Sequence, residues 1–204
     1  VENAEQEVVD AFLDPLEHVR GTQLLKLSFS TPLKGSGALG TAPEISELLK
    51  AVGFSETIVA MTSVTYAPAA VFGVGATGYQ SNTFYVYDAQ HLVQIQGAYG
   101  TATLEASVAG YPKIRWEFTG LYERPTDSAT IPSPTFDASR PVPCRGLTFN
   151  VGGFSGRVSN WTLALNREVH LSRSMGATFG VAALELGRMK PSGTWRAFVD
   201  AIAT

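Results

Sequence analysis

The stretch that decides the fold is IRWEFTGLY, residues 114–122. Its first six residues alternate strictly between apolar and polar side chains, and the apolar ones are Ile114, Trp116 and Phe118. A period of two is typical of a β-strand that packs one face on a core and turns the other face away from it. The sequence therefore predicts a half-buried strand here.

Strand signals on both sides of this stretch predict a mainly β, antiparallel fold. The connectors DAQ at 88–90 and AGYP at 109–112 are short enough to indicate hairpins. The predicted strands cover residues 22–30, 57–66, 83–87, 91–96, 98–108, 114–122, 146–152, 158–167 and 178–188.

Two helices are predicted beside the strands. The first, at about 42–52, has four apolar residues on one face and Gly53 at its end. The second is a short C-terminal helix in which apolar residues recur at helical spacing. These residues are Ile45, Leu48, Leu49 and Val52 in the first helix, and Trp195, Phe198, Val199 and Ile202 in the second.

The length of 204 residues suits one sizeable core, so we expect a single domain over 1–204. Three segments lack strand or helix signals. They are an N-terminal arm at 1–21, a long inter-strand loop at 67–82 and a Pro-rich loop at 123–143.

Composition restricts the function. Charged residues make up only 16% of the chain, against about 25% in an ordinary soluble domain, which favours surface that is buried against other subunits. The net charge of −3 and the scattered Lys and Arg argue against tight DNA binding. The single cysteine, Cys144, excludes an internal disulfide, and we expect neither a signal peptide nor a membrane segment.

The glycines Gly35, Gly37 and Gly40 spell the G-x-G-x-x-G pattern of a dinucleotide-binding turn. That turn needs a strand that leads directly into it, a helix that starts within it and a parallel sheet. Here Pro32 separates the strand from the glycines, and the helix follows only after Gly40. We therefore interpret the pattern as a surface loop, with nucleotide binding as the weaker alternative.

No other pattern predicts catalysis. The histidines His18, His91 and His170 have no metal-ligand spacing, and Ser155 lacks the final glycine of a G-x-S-x-G elbow. We predict no catalytic residue, no cofactor and no metal, and hence no enzyme.

The loop at 67–82 is uncharged and carries Val71, Phe72 and Val74. A free apolar loop is an aggregation liability, so we expect another copy of the chain to cover it. The same reasoning applies more weakly to Phe12 and Leu13 in the arm.

Several strings together resemble the major tail tube proteins of long, non-contractile-tailed bacteriophages. They cover most of the chain, from about residue 25 to about residue 193, and their order is the specific feature. The strings are TPLKGSGALGTAPEISELLKAVGFSET at 31–57, TSVTYAP at 62–68, FYVYDAQHLVQIQGAYGT at 84–101, YPKIRWEFTGLYERPTD at 111–127, LNREV at 165–169 and GRMKPSG at 187–193.

The resemblance implies a β-sandwich or small barrel flanked by a helix. It also implies homohexameric rings that stack into a tube, other tail proteins at the tube ends, and phage DNA that passes through the lumen without specific binding. The protein would then be assembled in the bacterial host cytoplasm and reside in the virion tail. The candidate contacts between subunits and rings are Val71, Phe72, Val74, Gly35, Leu39, Phe12 and Leu13.

Two other functions stay open on the sequence alone. A monomeric β-sandwich could serve as a binding or decoration module, and the glycine loop at 35–40 could serve a nucleotide-dependent enzyme. The first would stay monomeric at high concentration, and the second would be stabilised by its ligand.

Overall fold

A computed structural model of the chain describes residues 3–4, 19–20, 22–69, 78–88, 91–127, 130–135, 138–152, 154–177 and 180–198. They form one helix and fourteen strands. In chain order these are β1 (Asn3–Ala4), β2 (Val19–Arg20), β3 (Leu24–Pro32), α1 (Ser46–Ala51), β4 (Phe54–Val59), β5 (Ser63–Pro68), β6 (Asn82–Asp88), β7 (His91–Ser107), β8 (Lys113–Tyr122), β9 (Asn150–Val151), β10 (Phe154–Ser155), β11 (Arg157–Ala164), β12 (Arg167–Arg173), β13 (Val181–Met189) and β14 (Ser192–Phe198).

The main sheet has six strands, and every neighbouring pair in it is antiparallel. Five strands lie side by side in the order β14-β11-β7-β8-β3, and β6 also pairs with β7. The 17-residue β7 is long enough to pair with β6 near its start and with β11 near its end. The mainly β, antiparallel prediction is confirmed.

One face of this sheet carries the hydrophobic core. Trp116 and Phe118 are fully buried on β8, and their rings stack with centroids 6.1 Å apart. The Trp116 indole N–H donates a hydrogen bond of 2.8 Å to the Thr31 hydroxyl, so the one polar atom of that side chain is satisfied. The stretch IRWEFTGLY therefore forms a half-buried strand, as its alternation predicts.

A second layer covers the core face. Ala51 and Val52, at the end of α1, are fully buried in the same cluster as Trp116 and Phe118. The hairpin β12–β13 contacts β7 and contributes Met189 to this packing. The sheet does not close within the described residues, since β3 and β14 end the strand order without a further partner and β6 pairs with β7 alone. The arrangement is consistent with a β-sandwich, not with the small closed barrel that was the other option.

The predicted helix exists but is shorter than 42–52. It occupies Ser46–Ala51 and ends before Gly53, whose φ of +98° is a conformation that favours glycine. Pro43 accepts a backbone hydrogen bond from Ser46 in the turn that precedes the helix.

The predicted C-terminal helix is wrong where the structure can be compared. Residues Ser192–Phe198 form strand β14, which pairs with β11 so that Trp195 lies opposite Trp161. The apolar spacing at 195, 198, 199 and 202 imitates a helix, but pairing with β11 outweighs it. Residues 199–204 lie outside the described part of the chain.

Four predicted strands have other boundaries. Segment 57–66 is not one strand, because the chain reverses between β4 and β5. Segments 91–96 and 98–108 are one strand, β7, with a register shift between Gln96 and Tyr99. Segment 146–152 contributes only Asn150–Val151, and strand β12 was not predicted.

The Pro-rich loop has little regular structure where it is described. Residues 123–127, 130–135 and 138–143 of the Pro-rich loop contain no helix and no strand, apart from one isolated bridge between Thr126 and Leu92. Of the arm at 1–21, only the paired strands β1 and β2 are described. Of the loop at 67–82, residues 70–77 lie outside the described part of the chain. The single-domain division stays a prediction.

Candidate assembly surfaces

The face of the sheet opposite the core is polar. Most of its side chains are exposed or half-buried and are polar or charged. The register also places Leu24, Leu121, Ala164 and the buried Tyr99 on this side of the sheet. We call it the polar face. By strand register, it comprises Lys26, Ser28 and Ser30 of β3, Lys113, Arg115, Glu117 and Thr119 of β8, Thr101, Thr103 and Glu105 of β7, Asn160 and Thr162 of β11, and Ser192, Thr194 and Arg196 of β14.

Charges on the polar face offset one another. Lys113 lies directly opposite Glu105 in the β7–β8 register, where side chains of opposite sign attract each other. Glu117 lies two residues from Arg115 along β8, on the same face. The face therefore has no block of charge of a single sign.

The strands at the two ends of the strand order, β3 and β14, have no partner on their outer sides among the described residues, and β6 also pairs on one side only. The β14 edge also carries exposed aromatic side chains, since Trp195 is 50% and Phe198 63% accessible. An unpaired edge with exposed apolar residues is a template for pairing with another chain. Both edges are thus candidates for contacts between subunits.

The glycine loop lies against the turn of the β4–β5 hairpin. Gly40 has a φ of +66°, and a Cβ at that position would overlap the backbone of Val59, Ala60 and Met61. The Ser36 hydroxyl donates to the carbonyl of Thr41 at 2.8 Å, and Ser139 donates to the carbonyl of Gly35 at 3.0 Å. Only glycine fits where the two backbones approach each other, and hydrogen bonds hold the rest of the loop in place.

Four apolar side chains are exposed where the loop and the hairpin turn meet. Leu39 is 76% and Met61 85% accessible, while Ile58 and Val59 are each 50% accessible. We call these four residues the tip patch. Met61 has a φ of +56°, which is uncommon for a residue other than glycine.

A buried polar cluster joins the hairpin to the helix. The Glu56 carboxylate is 7% exposed and accepts hydrogen bonds from Ser46 at 2.5 Å and from Tyr66 at 2.7 Å. The Lys50 ammonium lies 3.9 Å from the same carboxylate. This cluster fixes the hairpin, and with it the tip patch, relative to α1.

The cluster shifts the pKa of both its acids. Burial, the largest influence, raises the pKa of Glu56, but the hydrogen bonds from Ser46 and Tyr66 and the charge of Lys50 together lower it below 4.5. Burial and the neighbouring Glu56 raise the pKa of Tyr66 to about 12. Glu56 therefore stays ionised and Tyr66 neutral at pH 7.

The structure locates only two of the seven predicted contact residues. Gly35 and Leu39 lie in the glycine loop, and Leu39 belongs to the tip patch. The others, which are Val71, Phe72, Val74, Phe12 and Leu13, lie outside the described residues. Sequence reasoning missed Ile58, Val59 and Met61, although the uncharged run over 57–69 was a signal for them.

The surroundings of the glycine loop differ from those of a dinucleotide-binding turn. β3 is antiparallel to β8, and α1 starts at Ser46, six positions after Gly40. Among the described residues, no three His, Cys, Asp or Glu side chains form a group that could hold a metal ion. His91 instead contacts Asp127 at 2.7 Å on the surface.

A family model described as phage tail tube protein matches residues 1–203, almost the whole chain. The chain belongs to the phage tail tube protein family. It is a structural protein of the bacteriophage virion, and membership implies self-assembly together with other tail proteins. No curated protein matched the chain. No helix in the described ranges has the length and apolar character needed to cross a membrane.

Proposed function

We propose that this tail tube protein forms hexameric rings that stack into the tube of a long, non-contractile tail, the conduit for genome delivery. The observation that carries the proposal is the open sheet, which has a polar face and an unpaired strand at each end of its strand order. Family membership supports the tube, and the sheet geometry supports the ring. The protein has no catalytic role in this proposal, and it is assembled in the host cytoplasm before it enters the virion.

Ring closure follows from the two sheet edges. Four antiparallel pairings separate β14 from β3, so the two edge strands run in the same direction. Rotation about a ring axis leaves the direction of a strand along that axis unchanged. If β14 of one copy meets β3 of the next, the pair is parallel, and this head-to-tail contact closes when the rotation returns to the first copy.

The polar face lines the lumen in this proposal. A strongly basic lumen would retain DNA phosphate. The polar face has four basic residues, Lys26, Lys113, Arg115 and Arg196, and two acidic ones, Glu105 and Glu117. These residues give the face a net charge of +2 per copy. The placement of Glu105 opposite Lys113 and of Glu117 beside Arg115 reduces the attraction of those bases for DNA phosphate.

Ring stacking involves the glycine loop at Gly35 and Leu39, together with Val71, Phe72 and Val74. Phe12 and Leu13 of the arm supply further contacts between subunits. These residues are apolar or small and come from segments with little charge.

Negative-stain micrographs and sedimentation velocity of the purified chain test the proposal. We expect six-fold rings, and tubes at higher concentration. A chain that stays monomeric at high concentration would contradict it and favour the monomeric binding module instead.

A further inference from the structure

The tip patch is an exposed surface on a rigid support. Its supports are the close contact between Gly40 and the hairpin turn, and the buried hydrogen bonds of Glu56 below it. Residues 35–43 and 57–69, which surround the patch, contain no charged residue. A rigid, uncharged and apolar surface has the character of the desolvated centre of a protein contact.

The backbone at Met61 supports the same conclusion. The Thr62 N–H donates to the carbonyl of Val59 at 3.0 Å, so Met61 occupies the third position of a tight turn. Glycine or asparagine is the usual residue there when φ is positive. A long apolar side chain in this strained position gains nothing from the fold, because it is 85% exposed. Such strain points to a function outside the monomer.

In sequence, an apolar segment follows the end of the hairpin that is opposite to the patch. The patch lies at the β4–β5 turn, whereas 70–77 follows the last residues of β5. At that end, Ala69 donates to the carbonyl of Gly53 at 2.9 Å, which ties it to the end of α1. The six residues of β4 separate the two ends by about 20 Å.

We propose that the tip patch of one copy receives the segment 70–77, AVFGVGAT, of a copy in the next ring. The proposal rests on the proposed tube. Both stretches are uncharged and rich in apolar residues. In sequence the segment follows the hairpin end opposite to the patch, so the proposed contact is head-to-tail. A head-to-tail contact that does not close on itself repeats without limit, as growth along a tube requires.

Charge substitutions in the patch test the proposal. Met61→Asp and Leu39→Asp place a carboxylate that must be desolvated in the contact. We expect rings as in the wild type but at least a tenfold loss of tube length in micrographs, with an unchanged melting temperature. Met175→Asp is the matched control, since Met175 is an exposed methionine in the turn between β12 and β13. Normal tubes from Met61→Asp would overturn the inference and leave the tube proposal intact.

A crosslink tests the occupant directly, in a Cys144→Ser background. Tagged Met61→Cys and untagged Phe72→Cys chains are mixed, assembled and oxidised. We expect a disulfide between the two kinds of chain in tubes, and none when Met175→Cys replaces Met61→Cys. Tubes without the Met61–Phe72 crosslink, or with equal crosslinking to Met175, would overturn the inference. If the wild type forms no assembly, the tube proposal itself fails.

Discussion

The two faces of the main sheet come from the same strands but serve different ends. On β8, Ile114, Trp116 and Phe118 are almost completely buried, while Arg115 and Glu117 between them are exposed. The core face determines the monomer fold through burial, whereas the polar face stays accessible and lines the lumen in the proposed tube. An alternation of apolar and polar residues can thus specify, in one strand, both the core of the fold and a candidate surface for assembly.

The largest expected effect is on the core face. Trp116→Ala removes a fully buried indole and the hydrogen bond to Thr31, and we expect it to cost about 3–5 kcal/mol of unfolding free energy. Glu117→Ala, the next residue on the opposite face, should change it by less than about 0.5 kcal/mol. Denaturant unfolding of the two variants measures the difference. Equal losses would contradict the division into a folding face and an assembly face.

A smaller effect on stability is expected from the buried polar cluster, where a charged side chain helps to hold the fold together. Glu56→Ala leaves the hydroxyls of Ser46 and Tyr66 without their acceptor, at a cost of about 1–3 kcal/mol. The exposed Glu47 also contacts Lys50, but Glu47→Ala should cost less than about 0.5 kcal/mol, as is usual for a surface pair. Thermal unfolding distinguishes them, and similar losses would mean that burial of Glu56 is unimportant.

The same carboxylate predicts how stability depends on pH. The folded pKa of Glu56 lies below 4.5, its value without these partners. Its contribution is therefore fully present above about pH 4.5 and is lost as the pH falls through the folded pKa. Melting temperatures measured from pH 7 to pH 3 should fall less steeply in Glu56→Gln than in the wild type. Parallel curves would contradict the role assigned to Glu56.

Local pattern predicted the elements whose burial follows from nearby residues. The alternation in 114–122 gave β8, and Gly53 gave the end of α1. Pairing between distant segments was beyond such reasoning. β14 pairs with β11, more than thirty positions earlier, and this pairing turned an apolar spacing typical of a helix into a strand.

The candidate surfaces were predicted only in part for the same reason. Leu39 stood out because its loop is rich in glycine, but the reversal at Met61 has no glycine, proline or asparagine to mark it. Because the reversal has no such signal, the sequence predicted one continuous strand over 57–66, with the apolar residues beside the turn inside a sheet. The exposure of Ile58, Val59 and Met61 depends on the hairpin and on its contact with Gly40.

The smallest effect on stability, and the sharpest test of the polar face, comes from Glu117→Lys. The substitution replaces an exposed acid next to Arg115 with a base. Because the side chain is exposed, the melting temperature should stay within about 2 °C of the wild type. In a phage that carries the variant, the net charge of the polar face would rise from +2 to +4 per copy, so the lumen of the proposed tube would become more basic. DNA phosphates would then be retained, and genome ejection should slow several-fold at low salt and recover as salt rises. Thr119→Ser is the matched control without a charge change. If ejection by Glu117→Lys tubes matched that of the control at every salt concentration, the polar face would not line the path of the DNA.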